Sequence, residues 1–177
     1  MRILGLTLAL ALATAPALAA GSEVELTGEA TLGTEARHVT LRLACDPVHA
    51  GLSAALTVPR FADLAPRFDF DAFEGPSGVT KPLTALRLVS PKGVSSVIAA
   101  ATGAVAADPS TSFTFAVVAP QRSQNPLRAV AAGFAQPDTR IVWTQSSPRA
   151  GDASVVATFK VNDAAPLRTA LEPCFGP

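Results

Sequence analysis

Apolar and polar residues alternate in two neighbouring stretches, residues 23–33 and residues 37–46, which are separated by a turn at residues 33–35. Side chains of a strand point alternately to opposite faces, so this period predicts a β-hairpin with one buried and one solvated face. Cys45 falls on the buried face, and His38 falls on the solvated one. The predicted buried positions are Val24, Leu26, Ala30, Leu32, Val39, Leu41, Leu43 and Cys45.

The same analysis predicts further strands bounded by Gly, Pro, Asp and Ser turns. They cover residues 52–58, 83–90, 94–101, 113–117, 141–144 and 153–161. Two stretches change to helical spacing. Asn125 and Pro126 are typical of a helix start and precede apolar residues up to Phe134. Asp163 can cap a last short helix that ends just before Cys174.

Eight or nine strands and two or three short helices follow from this pattern, with no long helices between the strands. Parallel crossovers usually need such helices, so the strands are expected to be antiparallel. The sequence therefore predicts a mainly β fold: a single antiparallel β-sandwich or flattened barrel with two or three short peripheral helices. We interpret residues 20–177 as one domain.

The N-terminal segment has the organisation of a secretory signal peptide. Arg2 provides the positive charge, an apolar stretch follows from Ile3, and Pro16 precedes the small residues Ala17 and Ala19. The apolar stretch is too short for a membrane anchor. We therefore expect cleavage after residue 19 and a periplasmic or secreted protein of 158 residues.

The chain has two cysteines, Cys45 and Cys174. In an exported protein, two cysteines so far apart predict one structural disulfide. A reactive thiol is the alternative, but no Cys-x-x-Cys spacing supports it.

Charge and composition narrow the classes of partner. Without Arg2 the chain carries 13 basic and 14 acidic side chains, a net charge of −1. This balance argues against nucleic acid and against an anionic membrane surface. Arg122, Arg128, Arg140 and Arg149 are scattered through the second half, and would complement an anionic partner only if they clustered in space.

Catalytic and metal-binding motifs find little support. His38 and His49 with two oxidised cysteines do not supply a zinc ligand set, and no Gly-x-Ser-x-Gly or phosphate-binding glycine loop is present. No cofactor or metal is expected. A Ser-His-Asp triad assembled only in space stays open as an alternative. Trp143 is expected in the core.

The best candidate site is an acidic and glycine-rich stretch from Asp69 to Gly78. Asp69 and Asp71 are predicted to share one face of an extended segment, and a tight loop follows. On a rigid scaffold such a loop would present Phe73 and Glu74 to a partner. The candidate partner-binding residues are Asp69, Asp71, Phe73, Glu74, Gly75, Pro76, Ser77 and Gly78.

Four interpretations of this stretch stay open. The carboxylates can be a solvated strand edge, a protein-binding surface, part of a calcium site or a catalytic pair. Phe73 can equally pack into the core while the glycines only turn the chain.

An export signal, a β-rich domain, one disulfide and a projecting loop together resemble small periplasmic proteins of Gram-negative bacteria, including lysozyme inhibitors. Ser77-Gly78 is similar to the Ser-Gly loop of some of these inhibitors, but this chain has no Tyr, which accompanies that loop. The resemblance carries over no functional residues.

Together these features favour a non-catalytic binding protein for a protein or cell-envelope partner, and a protein inhibitor acting through the loop is one form of this prediction. A structural or assembly component of the cell envelope is the first alternative, and a hydrolase with an unrecognised triad is the second.

Overall fold

The strands that the alternation predicts are present in a computed structural model, which describes residues 22–49, 51–75, 81–108, 111–117, 119 and 121–175. The predicted signal peptide, residues 1–19, lies outside these residues. The described part of the chain contains nine strands. They are β1 (Ser22–Leu32), β2 (Glu35–Asp46), β3 (Gly51–Pro59), β4 (Thr84–Ser90), β5 (Gly93–Ala99), β6 (Thr102–Val105), β7 (Ser112–Val117), β8 (Thr139–Gln145) and β9 (Val155–Val161).

These strands form one antiparallel sheet in the order β5-β4-β8-β9-β1-β2-β3-β7-β6. The sheet is curled into a half-barrel, so the predicted mainly β, antiparallel class is confirmed. The short β6 was not predicted, because its sequence Thr-Gly-Ala-Val is small and does not alternate.

The curl follows from one connection. β5 and β6 lie at opposite ends of the sheet, yet only Ala100 and Ala101 separate them along the chain. An extended chain advances at most about 3.6 Å per residue, so the Cα atoms of Ala99 and Thr102 are within about 11 Å of each other. A flat sheet of nine strands would be far wider. The two end strands must therefore approach each other on the concave side.

The concave face holds the core. Trp143 is fully buried there, as expected, together with the apolar positions predicted for the first hairpin from Ala30 onward. Gly28 on β1 packs against the ring of Phe159 and the carbonyl of Thr158, and a Cβ atom at this position would collide with both. Glycine is required here because β9 approaches too closely for any side chain.

Short helical segments complete the fold. Among the described residues they are α1 (Ala131–Phe134), α2 (Ala165–Leu171) and 3-10 turns at Phe61–Arg67, Asp71–Phe73, Arg122–Gln124, Pro126–Ala129 and Glu172–Cys174. Within the described residues, no helix is long and apolar enough to cross a membrane.

The helix predicted from Asn125 is replaced by a 3-10 turn followed by the single turn α1. Asn125 does cap this segment, accepting a hydrogen bond of 2.9 Å from the amide of Leu127. Its side-chain amide also donates to the carbonyl of Leu52 on β3. At Val130 the backbone (φ −119°, ψ 0°) leaves helical values, and the segment contacts both β3 and β5.

The C-terminal helix forms as predicted. The Asp163 carboxylate accepts a hydrogen bond from the amide of Ala165, and the apolar side of α2 is buried against β1 and β2. Immediately after α2, Cys174 is bonded to Cys45 on β2. The predicted disulfide is thereby confirmed, and it ties the end of the chain to the centre of the sheet.

The bond closes a loop with a sequence separation of 129 residues. Loop entropy alone then predicts a loss of about 4–5 kcal/mol on reduction, and measured losses for native disulfides are about 2–5 kcal/mol. We expect dithiothreitol to lower the free energy of unfolding by about 2–5 kcal/mol and therefore to lower the denaturant concentration at which half of the protein is unfolded. A Cys45→Ala/Cys174→Ala variant, indifferent to the reductant, is the control, and equal midpoints with and without reductant would contradict the prediction.

Candidate functional site

Three buried aromatic rings lie just before and within the acidic segment, Asp69 to Gly78, that is predicted as the binding loop. Phe68, Phe70 and Phe73 are at most 2% exposed. The carboxylates of Asp71 and Glu74, by contrast, lie in exposed positions. The segment therefore anchors itself through its aromatic residues and presents its acidic residues to solvent.

The rings belong to one aromatic cluster with Phe113 and Phe115 of β7. Phe73 meets Phe115 edge to face with ring centroids 5.2 Å apart, and Phe70 meets Phe113 in the same way at 5.1 Å. The centroids of Phe68 and Phe70 are 4.7 Å apart. Such contacts stabilise beyond the apolar area they bury, by about 0.5–1.5 kcal/mol per pair, so the base of the loop is rigid.

The prediction of an extended segment with Asp69 and Asp71 on one face was wrong. Residues Asp71–Phe73 form a 3-10 turn, and the Asp69 carboxylate accepts a hydrogen bond of 3.3 Å from the amide of Ala72. In a 3-10 turn side chains three residues apart lie on the same side. Phe70 and Phe73 can thus enter the core together, which an extended strand would not allow.

A close backbone approach holds the far end of the segment. Glu74 makes a parallel β-bridge with Gly103 of β6. A Cβ atom at Gly103 would lie 2.8 Å from the Cβ of Phe73 and would also overlap the ring of Phe113. Glycine at this position lets the loop and the aromatic cluster pack against the end strand.

A polar cluster from the turn between β8 and β9 holds the beginning of the segment. The Ser147 hydroxyl donates to the Asp152 carboxylate at 2.6 Å and accepts from the amide of Asp69 at 3.3 Å. Arg149 donates to Asp152 at 2.8 Å and reaches the carbonyls of Ala65 and Pro66 at 3.4 Å. The sequence of residues 146–152 predicts only a polar turn. The spacing of Arg149 and Asp152 indicates their local ion pair, but not the contacts of Arg149 with Ala65 and Pro66, which are 84 and 83 residues away.

Asp152 is the titratable group of this cluster. Burial disfavours its charged form, but the hydrogen bonds from Ser147 and Arg149 and the charge of Arg149 outweigh burial. Together they lower the pKa of Asp152 below its ordinary value of 3.8. The hydrogen bond to Asp152 also raises the pKa of Arg149. Asp152 and Arg149 are therefore both charged at neutral pH. We call Ser147, Arg149 and Asp152 the clamp.

The eight predicted residues separate into four groups. Asp69 is half-buried. Phe73 lies in the core, which favours the interpretation that it packs inward rather than entering a partner. Asp71, Glu74 and Gly75 are exposed, and Gly75 adopts a left-handed conformation (φ 67°). Pro76, Ser77 and Gly78 lie outside the described residues.

The calcium interpretation gains no geometric support from the described residues. Asp69, Asp71 and Glu74 do not converge, and no group of three or more His, Cys, Asp or Glu side chains within the described residues could hold a metal ion. His49 Nδ1 lies 3.1 Å from the Asp46 carboxylate in an exposed turn. The backbone amide of His49 is the main cause of the lowered pKa of Asp46. His38 lies exposed on the solvated face of β2, as predicted.

Comparisons of this chain with models of known protein families, with curated protein sequences and with solved structures find no match.

The lowered pKa of Asp152 makes the clamp sensitive to acid. A carboxylate whose folded pKa is depressed stabilises the fold above its unfolded pKa and loses this effect as the pH falls through the folded value. We expect the wild type to be more stable than Asp152→Asn at pH 7 and the difference to vanish progressively below about pH 4. Urea unfolding of both proteins from pH 7 to pH 2 measures this, with Asp71→Asn as the control for loss of an exposed charge. A difference independent of pH would contradict the assignment.

Phe73 provides a second test of the site. Since its ring is buried in the aromatic cluster, Phe73→Ala should lower the free energy of unfolding by about 3–5 kcal/mol, while the milder Phe73→Leu should cost less. Denaturant titration of both variants checks this. An unchanged unfolding free energy in Phe73→Ala would show that the ring does not pack as described.

Proposed function

We propose that this protein is a non-catalytic binding protein of the periplasm or extracellular space that engages a protein or cell-envelope partner through Asp71 and Glu74. The observation that carries the proposal is the contrast within one short segment. Three buried Phe rings hold the backbone, and the side chains of Asp71 and Glu74 face solvent. A loop fixed in this way loses little conformational entropy when it binds.

The chemistry of the segment indicates a partner with a basic surface. Carboxylates on a rigid loop meet Lys and Arg side chains by charge complementarity, which steers encounter and selects the partner. Specifically, we propose that the protein inhibits a basic enzyme that acts on the cell envelope, such as a lysozyme. The predicted signal peptide and the disulfide support an oxidising compartment outside the cytoplasm.

A pull-down tests the proposal. The oxidised mature protein is the bait, envelope extract and a panel of lysozymes are the prey, and retained species are identified by mass spectrometry. We expect at least one basic protein to be retained, and Asp71→Asn/Glu74→Gln to weaken its binding about tenfold or more while the free energy of unfolding stays within about 0.5 kcal/mol of the wild type. Binding should also weaken as salt is raised.

Asp63→Asn/Glu172→Gln is the matched control, because it removes the same charge from two exposed positions elsewhere. Equal loss of binding in the control would indicate a general charge effect. Undiminished binding in Asp71→Asn/Glu74→Gln would overturn the assignment of the loop, and retention of no species would remove the inhibitor form of the proposal.

A further inference from the structure

The free edge of β5 carries backbone groups that point away from the sheet. The amide of Ser146 donates to the carbonyl of Leu83 at 2.9 Å, so the odd-numbered residues of β4 bond to β8. Successive residues of a strand direct their amides and carbonyls to opposite sides, and the even-numbered residues of β4 therefore bond to β5. Their partners are Gly93, Ser95, Val97 and Ala99. The amides and carbonyls of Val94, Ser96 and Ile98 are left on the free edge.

These groups have no backbone partner in the described part of the chain. β5 is the end strand of the sheet, and no backbone hydrogen bond joins its free edge to another described residue. The residues that carry the groups are open to solvent, because Val94 is 57% exposed, Ile98 is 67% exposed and Ser96 is exposed as well. A row of unpaired amides and carbonyls on an end strand is a template for another extended chain.

The sequence of β5 does nothing to block such pairing. Natural end strands are usually protected by lysine, by proline, by a bulge or by being very short. β5 has seven residues, Gly-Val-Ser-Ser-Val-Ile-Ala, and none of them is charged or a proline. Val94 and Ile98, four residues apart on a strand, lie on the same face. The edge therefore offers backbone hydrogen bonds together with two exposed apolar side chains.

A cleft of about 260 Å³ lies beside the first half of this edge. One wall is formed by Gly93–Ser95, and the other by residues between Arg128 and Gln136. Gly133 on the second wall packs so closely that a Cβ atom there would lie 2.8 Å from the Leu88 side chain. A single extended segment suits a groove between a strand edge and a helical turn. A second copy of the protein suits it less well, because it would bring its own second wall to the same edge.

Two cations define the charge of the cleft. Lys92 and Arg128 line it, both are exposed, and neither forms an ion pair with a described carboxylate. No acidic residue is among the residues that line the cleft. Lys92 directly precedes β5, so a strand that pairs with β5 in the antiparallel sense would have its C-terminal end near both cations. A carboxylate at that end would meet them.

We propose that β5 binds an extended segment of another protein by antiparallel β-strand addition. The amides and carbonyls of Val94, Ser96 and Ile98 pair with the backbone of the segment. Lys92 and Arg128 hold a carboxylate at its C-terminal end, which is either the terminal carboxylate or an acidic side chain. Alternate side chains of the segment pack beside the two exposed apolar residues of β5, which favours β-branched residues there. The groove shares no residue with the acidic segment and does not depend on its proposed function.

Amide hydrogen exchange of the full mature protein, followed by NMR, tests the edge. We expect the amides of Val94, Ser96 and Ile98 to exchange about tenfold faster or more than those of Ser95 and Val97, which bond to β4. Equal protection of all five amides at low protein concentration would show that the edge is already covered. Protection that appears only as the protein concentration is raised would assign the edge to a second copy. Either result would overturn the proposal.

A library of random octapeptides, displayed with free C-termini and selected on the mature protein, tests binding. We expect enrichment of peptides with alternating β-branched residues, and the selected peptides should slow exchange at Val94, Ser96 and Ile98 about tenfold or more. Loss of binding on amidation of the C-terminus would assign the terminal carboxylate, and unchanged binding would assign an acidic side chain. A library without enrichment, or bound peptides that leave these three amides unprotected, would overturn the proposal.

Ser96→Pro tests strand addition at the backbone. Proline removes an amide that points to solvent and leaves the bonds between β5 and β4 in place, a position where proline is tolerated in end strands. We expect the variant to bind the selected peptides about tenfold more weakly or less, and Ser96→Ala, which keeps the amide, to bind them like the wild type. Undiminished binding in Ser96→Pro would overturn the proposal. The exchange measurement on the wild type does not depend on the folding of this variant.

Charge variants test the two cations. Lys92→Gln/Arg128→Gln should weaken binding of the selected peptides about tenfold or more. Lys160→Gln/Arg168→Gln is the matched control, because it removes the same charge from two exposed positions elsewhere. Equal affinities in the two double variants would overturn the role assigned to Lys92 and Arg128.

Discussion

The link of two residues between β5 and β6 is the constraint on which the rest of the structure depends. Because Ala100 and Ala101 must join strands at opposite ends of the sheet order, the sheet has to curl. Curling gives it a concave face that encloses the core without a second sheet. It also brings two strand edges near each other, and uncovered edges of this kind invite pairing with other chains. The 3-10 turn at Pro126–Ala129 contacts β5, and the one at Asp71–Phe73 contacts β6.

The turn at Asp71–Phe73, beside β6, buries an aromatic ring and at the same time exposes acidic side chains. Its Phe73 ring joins the aromatic cluster on β7, and its neighbour Glu74 forms the bridge to Gly103. The carboxylates of Asp71 and Glu74 are exposed because the same backbone turns its aromatic residues inward. In this fold the core and the candidate binding surface are thus two sides of one segment, and a change in the aromatic cluster would also move the carboxylates.

Charge is distributed unevenly although the totals of acidic and basic residues are equal. Near the aromatic cluster, Arg149 is neutralised by Asp152 and holds the neighbouring backbone through carbonyl groups. Where β8 begins and β9 ends, Arg140 and Lys160 form no ion pair with any of the described carboxylates. Scattered arginines in the sequence therefore differ, since one is part of a structural clamp and another is an exposed cation. The overall balance of charge conceals this local difference.

The sequence by itself determined eight of the nine described strands, the disulfide and the C-terminal helix. Period-two alternation in β1 and β2, the capping residue Asp163 and a single pair of cysteines are local or compositional signals, and each depends on little beyond its neighbours. The tertiary structure decided the features for which the sequence carries no local signal. A turn forms at Asp71–Phe73, not an extended segment, because it buries Phe70 and Phe73 together in the aromatic cluster with β7. An extended segment would point the two rings to opposite faces. β6 formed because β7 supplied its hydrogen bonds. The facing of Arg140 and Lys160 depends on the register of two strands 20 residues apart, and register is set by the whole buried face rather than by either strand alone.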